Sequence, residues 1–270
     1  MDVVIIGAGN VGTHMAKALK GVGLSVIQIV SRTMKSAVEL ASEVGCAFAT
    51  DLHDINTNAD IYILCVTDSA ISPILRQLHL GKKLIVHTSG SIGINVFYDY
   101  AENYGCIYPL QTFSKFKDLN YSEIPVFVEA NTEANQQILI DLMKKITSHV
   151  QVLSSQQRCI LHLSAVLVNN FTNHLCTLAE ILMKENQLQF DLLKPLVKET
   201  MDKILKYSPY IAQTGPAVRG DELIMQKHRD ILENHKDVLE IYNVLSESIT
   251  KLLLLVYSNR HNQLPKFELL

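Results

Sequence analysis

Short apolar runs alternate with amphipathic helical segments over the first 152 residues. The run at 61–66 is apolar at every position, which is typical of a strand whose two faces are both covered. The predicted strands are 3–6, 26–30, 46–49, 61–66, 84–87, 106–108, 126–129 and 150–153. The helical segments between them lie near 11–21, 34–44, 70–79, 93–103 and 132–147. This alternation predicts βαβ units and a doubly wound, mostly parallel sheet.

From residue 155 onward the strand pattern disappears, and helical periodicity follows near 156–185, 189–206, 221–234 and 237–257. Pro195, Pro209 and the pair Gly215-Pro216 interrupt it. We therefore predict an α/β domain at 1–152, followed by an all-α domain at 153–270 for substrate binding and dimerisation. The helical part has more long apolar faces, notably at 237–257, than its own core needs, which favours a homodimer.

Composition and charge argue against several classes of protein. The 24 basic and 27 acidic residues give a net charge of −3, which disfavours nonspecific nucleic-acid binding. The first apolar run ends at a glycine-rich turn and has no basic segment before it, so it indicates a strand rather than a secretion signal. The longest late apolar run, at 252–256, is too short to cross a bilayer. Five cysteines, each among apolar residues and without paired or metal-ligand spacing, predict reduced thiols in the core and no metal site. We expect a cytoplasmic protein without nucleic-acid or membrane partners.

A dinucleotide fingerprint follows the first strand and opens the first helix. It reads Gly7-Ala8-Gly9-Asn10-Val11-Gly12 and fits the GxGxxG pattern. In that pattern Gly7 allows the tight turn, Gly9 lets a pyrophosphate approach the backbone, and Gly12 lets helix and strand pack closely. Asn10 and Val11 lie at the helix N-terminus, whose free N–H groups and dipole favour phosphate. The α/β domain is therefore predicted to be a Rossmann domain; an ordinary glycine-rich turn is the alternative.

The end of the second strand predicts which dinucleotide is bound. NAD sites usually carry an acidic residue about 20 residues past the fingerprint, but this chain has Ser31-Arg32-Thr33 there, with no acid before Glu39. A carboxylate would repel a 2′-phosphate, whereas a guanidinium can hold it through two N–H bonds. The sequence therefore favours NADP(H). The alternative is that Arg32 is a solvated surface residue.

Three further loops follow strands at the edge where ligands of open α/β sheets bind. Val66 and Thr67 end the fourth strand and are predicted to contact the cofactor, although the next two residues could simply cap a helix. The loop at 87–91 offers an imidazole, hydroxyls and a glycine that allows close approach. We predict that it faces the nicotinamide or the substrate through Ser89 and Gly90; the alternative is that these residues serve only the turn. The loop at 108–112 contains a proline, which could serve only to shape the backbone.

A polar stripe follows the helical segment at 156–185. At 100° per residue, His162, Asn169, Asn173 and Glu180 fall within about 20° of one direction, and most of the other side is apolar. The stripe could be a solvated edge, an internal hydrogen-bond network or the wall of an active-site cleft. For the cleft, His162 is the candidate acid–base group, because imidazole exchanges protons near neutral pH. Asn169 and Asn173 would then orient the substrate.

A basic residue precedes the helical pattern at 221–234. The segment reads Thr214-Gly215-Pro216-Ala217-Val218-Arg219-Gly220-Asp221. Arg219 could bind an anionic group of the substrate. The alternative is an ion pair between Arg219 and Asp221, with Asp221 as the N-cap of the helix.

Together these segments resemble a family of two-domain Rossmann proteins that are provisionally described as NADP oxidoreductases and whose second domain has no assigned function. The resemblance covers essentially the whole chain. It rests on the fingerprint, His-x-Ser-Gly at 87–90, Pro-Leu-Gln-x-Phe at 109–113, the helix with His162 and Asn169, and Thr-Gly-Pro-x-x-Arg-Gly-Asp at 214–221. More distantly, the chain is similar to pyrroline-5-carboxylate reductases, deazaflavin-dependent NADP oxidoreductases and enzymes of the 6-phosphogluconate dehydrogenase type. These share a Rossmann domain followed by a helical, often dimerising domain.

Two departures bear on the chemistry that the resemblance implies. The family carries a His-Pro pair where this chain has Tyr108-Pro109. The hydroxyacid dehydrogenases carry Lys-x-x-x-Asn on the first helix of the second domain, and here Ala165 and Val166 stand four residues before the two asparagines. This departure disfavours a hydroxyacid oxidation that uses a lysine base, and His162 is the candidate substitute for the lysine.

The sequence thus predicts hydride transfer between NADP(H) and a small carbonyl, imine or hydroxy compound that bears an anionic group. In this reading His162 moves the proton, Ser89 and Asn169 orient the substrate, and Arg219 holds its anionic group. The alternative is a protein that binds or senses NADP(H) without turnover, because nucleotide binding does not imply hydride transfer.

Overall fold

Strands that are buried along their whole length form the middle of the sheet. The computed structural model describes residues 1–115, 117 and 119–259. The eight strands are β1 (Asp2–Ile6), β2 (Ser25–Val30), β3 (Ala47–Ala49), β4 (Ile61–Leu64), β5 (Leu84–His87), β6 (Asn103–Pro109), β7 (Val126–Ala130) and β8 (Val150–Val152). They form one sheet in the order β3-β2-β1-β4-β5-β6-β7-β8. All neighbouring pairs are parallel except β6 and β7.

The helices of the α/β part are α1 (Asn10–Gly21), α2 (Met34–Val44), α3 (Asp68–Leu75) and α4 (Glu133–Met143). The chain runs outward from β1 in one direction through β2 and β3, and then in the other direction from β4. The order of the strands therefore reverses between β1 and β4, and ligands of such sheets bind at this point beside the carboxyl ends of the strands. The predicted Rossmann fold is confirmed.

Alternate residues of the central strands enter two hydrophobic cores, one on each face of the sheet. Ile61 and Ile63 of β4 pack on the same side as α1, whereas Tyr62 and Leu64 pack on the side of α3. Successive side chains of a strand point to opposite faces. Since helices cover both faces, every position of β4 must be apolar, which explains the unbroken run in the sequence.

Two predicted elements differ from what forms. The helix predicted over 93–103 is only a short 3₁₀ turn at Ile94–Phe97. The single helix predicted over 156–185 is divided into α5 (Ser155–Ala165), a π-helical turn at Val166–Phe171 and α6 (Thr172–Glu185). The π turn holds two β-branched valines and two asparagines, residue types that favour the α-helix only weakly.

The chain divides into two compact units, 1–172 and 173–270. The predicted boundary at 152 coincides with the end of β8, but α5 stays with the sheet. Arg158 in its first two turns is buried and bonds to loop residues that follow β5. This packing moves the division between the units to the far side of the π turn.

The second unit is built from helices. After α6 come α7 (Lys194–Lys206), α8 (Pro209–Ala212), α9 (Pro216–Arg219), α10 (Glu222–Ile231) and α11 (Lys236–Asn259). Its exposed surface includes large apolar side chains such as Leu205 and Leu223, which are 84% and 80% exposed. None of the helices in the described part of the chain is long and apolar enough to cross a membrane.

Candidate functional site

The turn between β1 and α1 requires glycine at two positions. Gly7 has a φ of 110°, and a Cβ there would collide with the carbonyl oxygen of Cys65, the residue just after the neighbouring strand β4. A Cβ at Gly12 would collide with the carbonyl oxygen of Gly7. The turn can therefore form only because these two residues lack side chains, as the fingerprint predicts.

Gly9 is small for a different reason. Nothing in the described residues lies within 4 Å of a Cβ built on Gly9, so this position borders open space. It is the N-cap of α1, it offers no capping side chain, and the first turn of the helix holds no acidic residue. The first N–H groups of a helix have no partners within it. The backbone N–H groups of Asn10 and Val11 are thus placed to bind an anion, and the helix dipole favours negative charge at this end.

A cavity of about 880 Å³ extends from this turn along the carboxyl ends of the strands. Its volume suits a cofactor site. Because β2 and β6 lie on opposite sides of β1, residues at or just after the carboxyl ends of these strands line opposite ends of the cavity. Arg32 lines one end, and Tyr108 and His162 line the other.

The Arg32 end matches the site predicted for the 2′-phosphate. Ser31 donates its N–H to the carbonyl of Ala49 at 3.0 Å and lines the cavity. Arg32 is exposed to solvent within the cavity wall, whereas Thr33 is the N-cap of α2 and does not line the cavity. Asp51 also lines this end, but its carboxylate accepts the backbone N–H of His53 at 2.9 Å.

Val66 and Thr67, the predicted cofactor contacts after the fourth strand, line the same cavity. Thr67 is the N-cap of α3, so the cap is neither Asp68 nor Ser69. The Thr67 Oγ1 lies 3.4 Å from the Ser69 Oγ. The hydroxyl and backbone of Thr67 thus lie beside the switch point between β1 and β4.

His87 is part of the core rather than of the cavity, contrary to the expectation that its imidazole faces the ligand. It is 0% exposed and stacks on Phe97, with 5.5 Å between ring centroids. Its Nδ1 accepts the N–H of Ser89 at 3.2 Å. Burial, assisted by the positive charge of Arg158, lowers the pKa of His87 to about 3, so the ring is neutral. Within the described residues its Nε2 has no partner.

Ser89 and Gly90, the predicted nicotinamide and substrate contacts, line the cavity. The Ser89 Oγ accepts the N–H groups of Ser91 at 3.1 Å and Ile92 at 2.9 Å, which leaves its own O–H free to donate. A Cβ on Gly90 would lie 2.6 Å from the Cγ of His162. Gly90 is therefore small because the imidazole packs directly on it.

His162 and Tyr108 form a hydrogen-bonded pair in the cavity wall. The Tyr108 hydroxyl lies 2.9 Å from the Nδ1 of His162, and the rings meet edge to face. Burial raises the pKa of Tyr108 to about 12, so the phenol stays protonated at neutral pH. When the imidazole is neutral, Tyr108 can donate to Nδ1, and the ring proton then resides on Nε2.

Tyr108 is a site residue that sequence reasoning did not select. The proline at 109 favours a role in shaping the loop over a role in function, and the resembling family carries histidine where this chain has Tyr108. That departure was the available signal. A tyrosine at the carboxyl end of a buried strand needs a partner for its hydroxyl, and here the partner is His162.

The other members of the predicted stripe do not lie with His162. Asn169 is in the π turn, is exposed and does not line the cavity. Bonds from residue i to i+5 rotate the chain by less than 100° per residue, so the predicted alignment of His162 with Asn169 and Asn173 does not hold. Asn173 is exposed at the start of the second unit, where its carbonyl accepts the hydroxyl of Thr177 at 3.1 Å.

Arg219 also belongs to the second unit. It is exposed at the end of α9. Asp221 is the N-cap of α10, with its carboxylate accepting the N–H of Ile224 at 3.2 Å. Among the ion pairs of residues 1–115, 117 and 119–259, none joins Arg219 to Asp221. The capping role is therefore present without the ion pair, and the guanidinium of Arg219 is open to solvent.

Comparison with known families matches two parts of the chain, and the second match begins within the sheet, before β7. Residues 2–90 match the family model described as NADP oxidoreductase, coenzyme F420-dependent. Residues 124–249 match a domain of unknown function known as DUF2520. The first match covers the fingerprint and the loop with Ser89 and Gly90, and the second includes the α5 helix with His162.

Among solved structures, a Bacteroides fragilis protein provisionally described as an NADP oxidoreductase is 39% identical, with a TM-score of 0.85 over 93% of this chain and 98% of its own. An imine reductase from Myxococcus stipitatus, solved with NADP⁺, is 15% identical with a TM-score of 0.65, covering 96% of this chain and 94% of its own. A 1-pyrroline-5-carboxylate reductase from Streptococcus pyogenes is 15% identical with a TM-score of 0.58, covering 93% and 98%. At these identities the last two share the fold alone.

Among curated proteins, a glutamyl-tRNA reductase from Methanosarcina barkeri is 45% identical over 65 residues. This match covers 23% of the chain and only 14% of that protein's length. The full-length likeness to the Bacteroides fragilis protein and the NADP oxidoreductase model over the fingerprint confirm the predicted family and its cofactor, NADP(H). The chain belongs to the family of two-domain NADP oxidoreductases that carry a DUF2520 domain after the Rossmann domain.

Proposed function

We propose that this chain transfers a hydride between NADP(H) and a small carbonyl, imine or hydroxy compound, with His162 as the group that moves the proton. The observation that carries the proposal is the pair formed by His162 and Tyr108. It lies in the wall of the same cavity that begins at the dinucleotide fingerprint. A cofactor-binding turn and an acid–base group in one cavity are the two parts that such a reaction needs.

The residues of the cavity suit NADP(H). The open space at Gly9 and the free N–H groups of Asn10 and Val11 would hold the pyrophosphate. Arg32 would hold the 2′-phosphate through a charge-assisted bond. Val66 and Thr67 would flank the ribose and nicotinamide side of the pyrophosphate. When bound, the cofactor supplies or accepts the hydride.

His162 would exchange its proton at Nε2. With Tyr108 on Nδ1, the neutral ring carries its proton on Nε2, the nitrogen that can meet a substrate. Histidine between a fixed partner and a reacting atom is a common acid–base arrangement. Because the tyrosine is kept protonated by its surroundings, it would hold the ring in place rather than take up its proton.

Ser89 would orient the substrate through its hydroxyl. Its oxygen already accepts two backbone N–H groups, so its O–H can only point to a further acceptor. Contacts of Asn169, Asn173 and Arg219 with the substrate stay predictions from the sequence, since none of the three lines this cavity. Arg219 is exposed and would pair with an anionic group of the substrate.

The test is a substrate panel with NADPH and NADP⁺, followed by the absorbance of the reduced nicotinamide. Cyclic imines and pyrroline carboxylates come first, because solved structures of the same fold include an imine reductase and a 1-pyrroline-5-carboxylate reductase. Small aldehydes, ketones and hydroxy acids complete it. Turnover of any one that His162→Ala abolishes supports the proposal. Tight NADPH binding without turnover of any compound would instead indicate a binding or sensing protein.

A further inference from the structure

A buried arginine stands one helical turn before His162 and takes no direct part in the proposed chemistry. Arg158 is 1% exposed, the most completely buried charged residue among the large side chains of the described core. Its Nε donates to the carbonyl of Ser89 at 3.1 Å, and its Nη2 donates to the carbonyl of Ile92 at 2.5 Å. Its Nη1 is paired with the carboxylate of Glu129. All three nitrogens of the guanidinium are thus occupied.

Glu129 completes the arrangement from the sheet. Its Oε1 accepts the N–H of Ser155 at 2.8 Å and its Oε2 accepts the Ser155 hydroxyl at 2.7 Å. The Ser155 oxygen in turn accepts the N–H of Ile94 at 3.1 Å. We call Glu129, Ser155 and Arg158 the Glu129–Arg158 network. It joins β7, the first turns of α5 and both ends of the loop at 89–94.

The network is not explained by stability alone. Removing a guanidinium from water costs several kcal/mol, and a well-packed apolar group of similar size is often as stabilising as a buried ion pair. What an ion pair of this kind can supply instead is a fixed geometry, because the planar fork of arginine sets the direction of each bond.

The two segments that the network joins both carry residues of the proposed site. The loop provides Ser89 and Gly90, and α5 provides His162, which lies four residues after Arg158 on the same face of the helix. The ring of His162 packs on Gly90. A small shift of the loop relative to α5 would therefore separate His162 from Ser89, or displace the ring from Tyr108.

We propose that Arg158 is a positioning residue: through the Glu129–Arg158 network it locks the loop at 89–94 onto α5 and so fixes the distance between Ser89 and His162. This role rests on the proposed function, in which both side chains meet one substrate. Arg158 itself touches neither the cavity nor the reacting atoms.

The main test is Arg158→Lys, which keeps the charge opposite Glu129 but cannot hold the carbonyls of Ser89 and Ile92 at the same time. The matched control is Thr147→Val. Thr147 is also buried and donates to the carbonyls of Ser122 and Ile124, both at 3.0 Å, but it does not line the cavity. For both variants we would measure urea unfolding, NADPH affinity, kcat and KM with a compound from the panel, and amide hydrogen exchange over 89–94.

We expect Arg158→Lys to lower kcat by about 100-fold, as a displacement near 1 Å can do, with little change in NADPH affinity and faster exchange over 89–94. Thr147→Val should lower the free energy of unfolding but leave kcat and the rate of amide hydrogen exchange over 89–94 unchanged. If both variants lose stability and both keep kcat per folded molecule, Arg158 is only structural and the proposal is overturned.

A second variant covers the case in which Arg158→Lys does not fold. Glu129→Gln keeps an acceptor for Ser155 but removes the charge that fixes the guanidinium, and a roughly 10-fold fall in kcat is expected. Unchanged kcat in this variant would contradict the role. Hydrogen exchange needs no substrate. If the wild-type protein turns over no compound, the proposed function fails. The positioning role is tested separately: it is overturned if amide exchange over 89–94 stays as slow in the Glu129 and Arg158 variants as in the wild-type protein.

Discussion

At the end of β2, Arg32 is the residue that we propose selects NADP(H) over NAD(H). Arg32 is exposed and lines the cavity where the 2′-phosphate of NADP(H) would lie. A charge-assisted contact contributes about 1.5–3 kcal/mol, so Arg32→Ala should weaken NADPH binding by roughly 10- to 150-fold. NADH has no phosphate there, and its affinity should change little. Titration calorimetry with both cofactors measures this difference, and equal losses for the two would contradict the assignment.

The pair formed by His162 and Tyr108 gives a prediction about chemistry rather than binding. His162→Ala should leave NADPH affinity intact and lower kcat by about 10²–10⁴-fold, the usual contribution of a general acid or base. Tyr108→Phe removes only the hydroxyl that holds the Nδ1 of His162, so the fall in kcat should be smaller for this variant. Tyr98→Phe is the control, because Tyr98 is exposed and does not line the cavity. Equal kcat for His162→Ala and the wild type would exclude a catalytic role for the imidazole.

His87 makes the stability of the fold depend on pH. Its pKa is about 3 in the folded protein, against an ordinary value of 6.5. Below pH 6.5 the unfolded chain therefore binds a proton that the folded protein does not, so the free energy of unfolding falls as pH decreases toward 3. The contribution of this residue is at most about 1.4 kcal/mol per pH unit, and it is fully present above pH 6.5.

His87→Asn tests this dependence, since asparagine retains an acceptor for the N–H of Ser89 but does not titrate. Urea unfolding between about pH 7 and pH 5 should give a shallower fall for the variant, whatever its stability at neutral pH. Parallel pH dependences for the two proteins would show that His87 is not the source of the acid sensitivity.

At the scale of whole elements, the contact between α5 and the loop at 89–94 depends on a glycine. Gly90→Ala would place a Cβ 2.6 Å from the Cγ of His162, so the helix must move away from the loop. We expect kcat to fall by more than 10-fold with a smaller effect on NADPH affinity. Gly21→Ala is the control: no described atom lies within 4 Å of its Cβ, and alanine favours the helix at that position. Unchanged kcat in Gly90→Ala would mean that the loop and α5 adjust freely.

The elements that the sequence predicted correctly are those with one strong periodic signal. β4 and the fingerprint turn were readable because an unbroken apolar run and paired glycines each have few structural explanations. The helix predicted over 93–103 does not form, because the apolar residues of this segment pack with Phe97 into the core without a regular helix. The π turn was not readable, since apolar periodicity alone does not distinguish it from an α-helix.

Within the site, the cofactor half was more predictable than the catalytic half. Gly7, Gly12 and Arg32 belong to a local motif, so their positions follow from neighbouring residues. Tyr108 and Arg158 act through partners 54 and 69 residues away in the chain. A pattern within a short stretch of sequence does not indicate pairs between residues so far apart in the chain. The predicted alignment of Asn169 with His162 on one face requires a continuous α-helix, and the π turn at Val166–Phe171 interrupts that helix.

For the molecule as a whole, the second unit exposes more apolar surface than a separate domain needs. Leu205, Leu223 and Ile231 are 84%, 80% and 71% exposed, and a contact surface would form if such side chains lie together in one apolar patch. We predict a homodimer formed mainly through the second unit, as most closed assemblies of identical chains are twofold symmetric. Its mass would be twice the 30.2 kDa of one chain.

Sedimentation equilibrium at micromolar concentration tests the dimer directly. Leu205→Asp and Leu223→Asp, made separately and together, should shift the distribution toward a single chain, because a buried unpaired carboxylate opposes association. Tyr98→Asp serves as the matched control: this side chain is 68% exposed but lies in the first unit, so the substitution should leave the dimer intact. A single species of 30.2 kDa for the wild-type protein would refute the prediction, and the apolar surface of the second unit would then need another partner. A dimer that both leucine variants preserve and Tyr98→Asp disrupts would place the interface on the Rossmann unit instead.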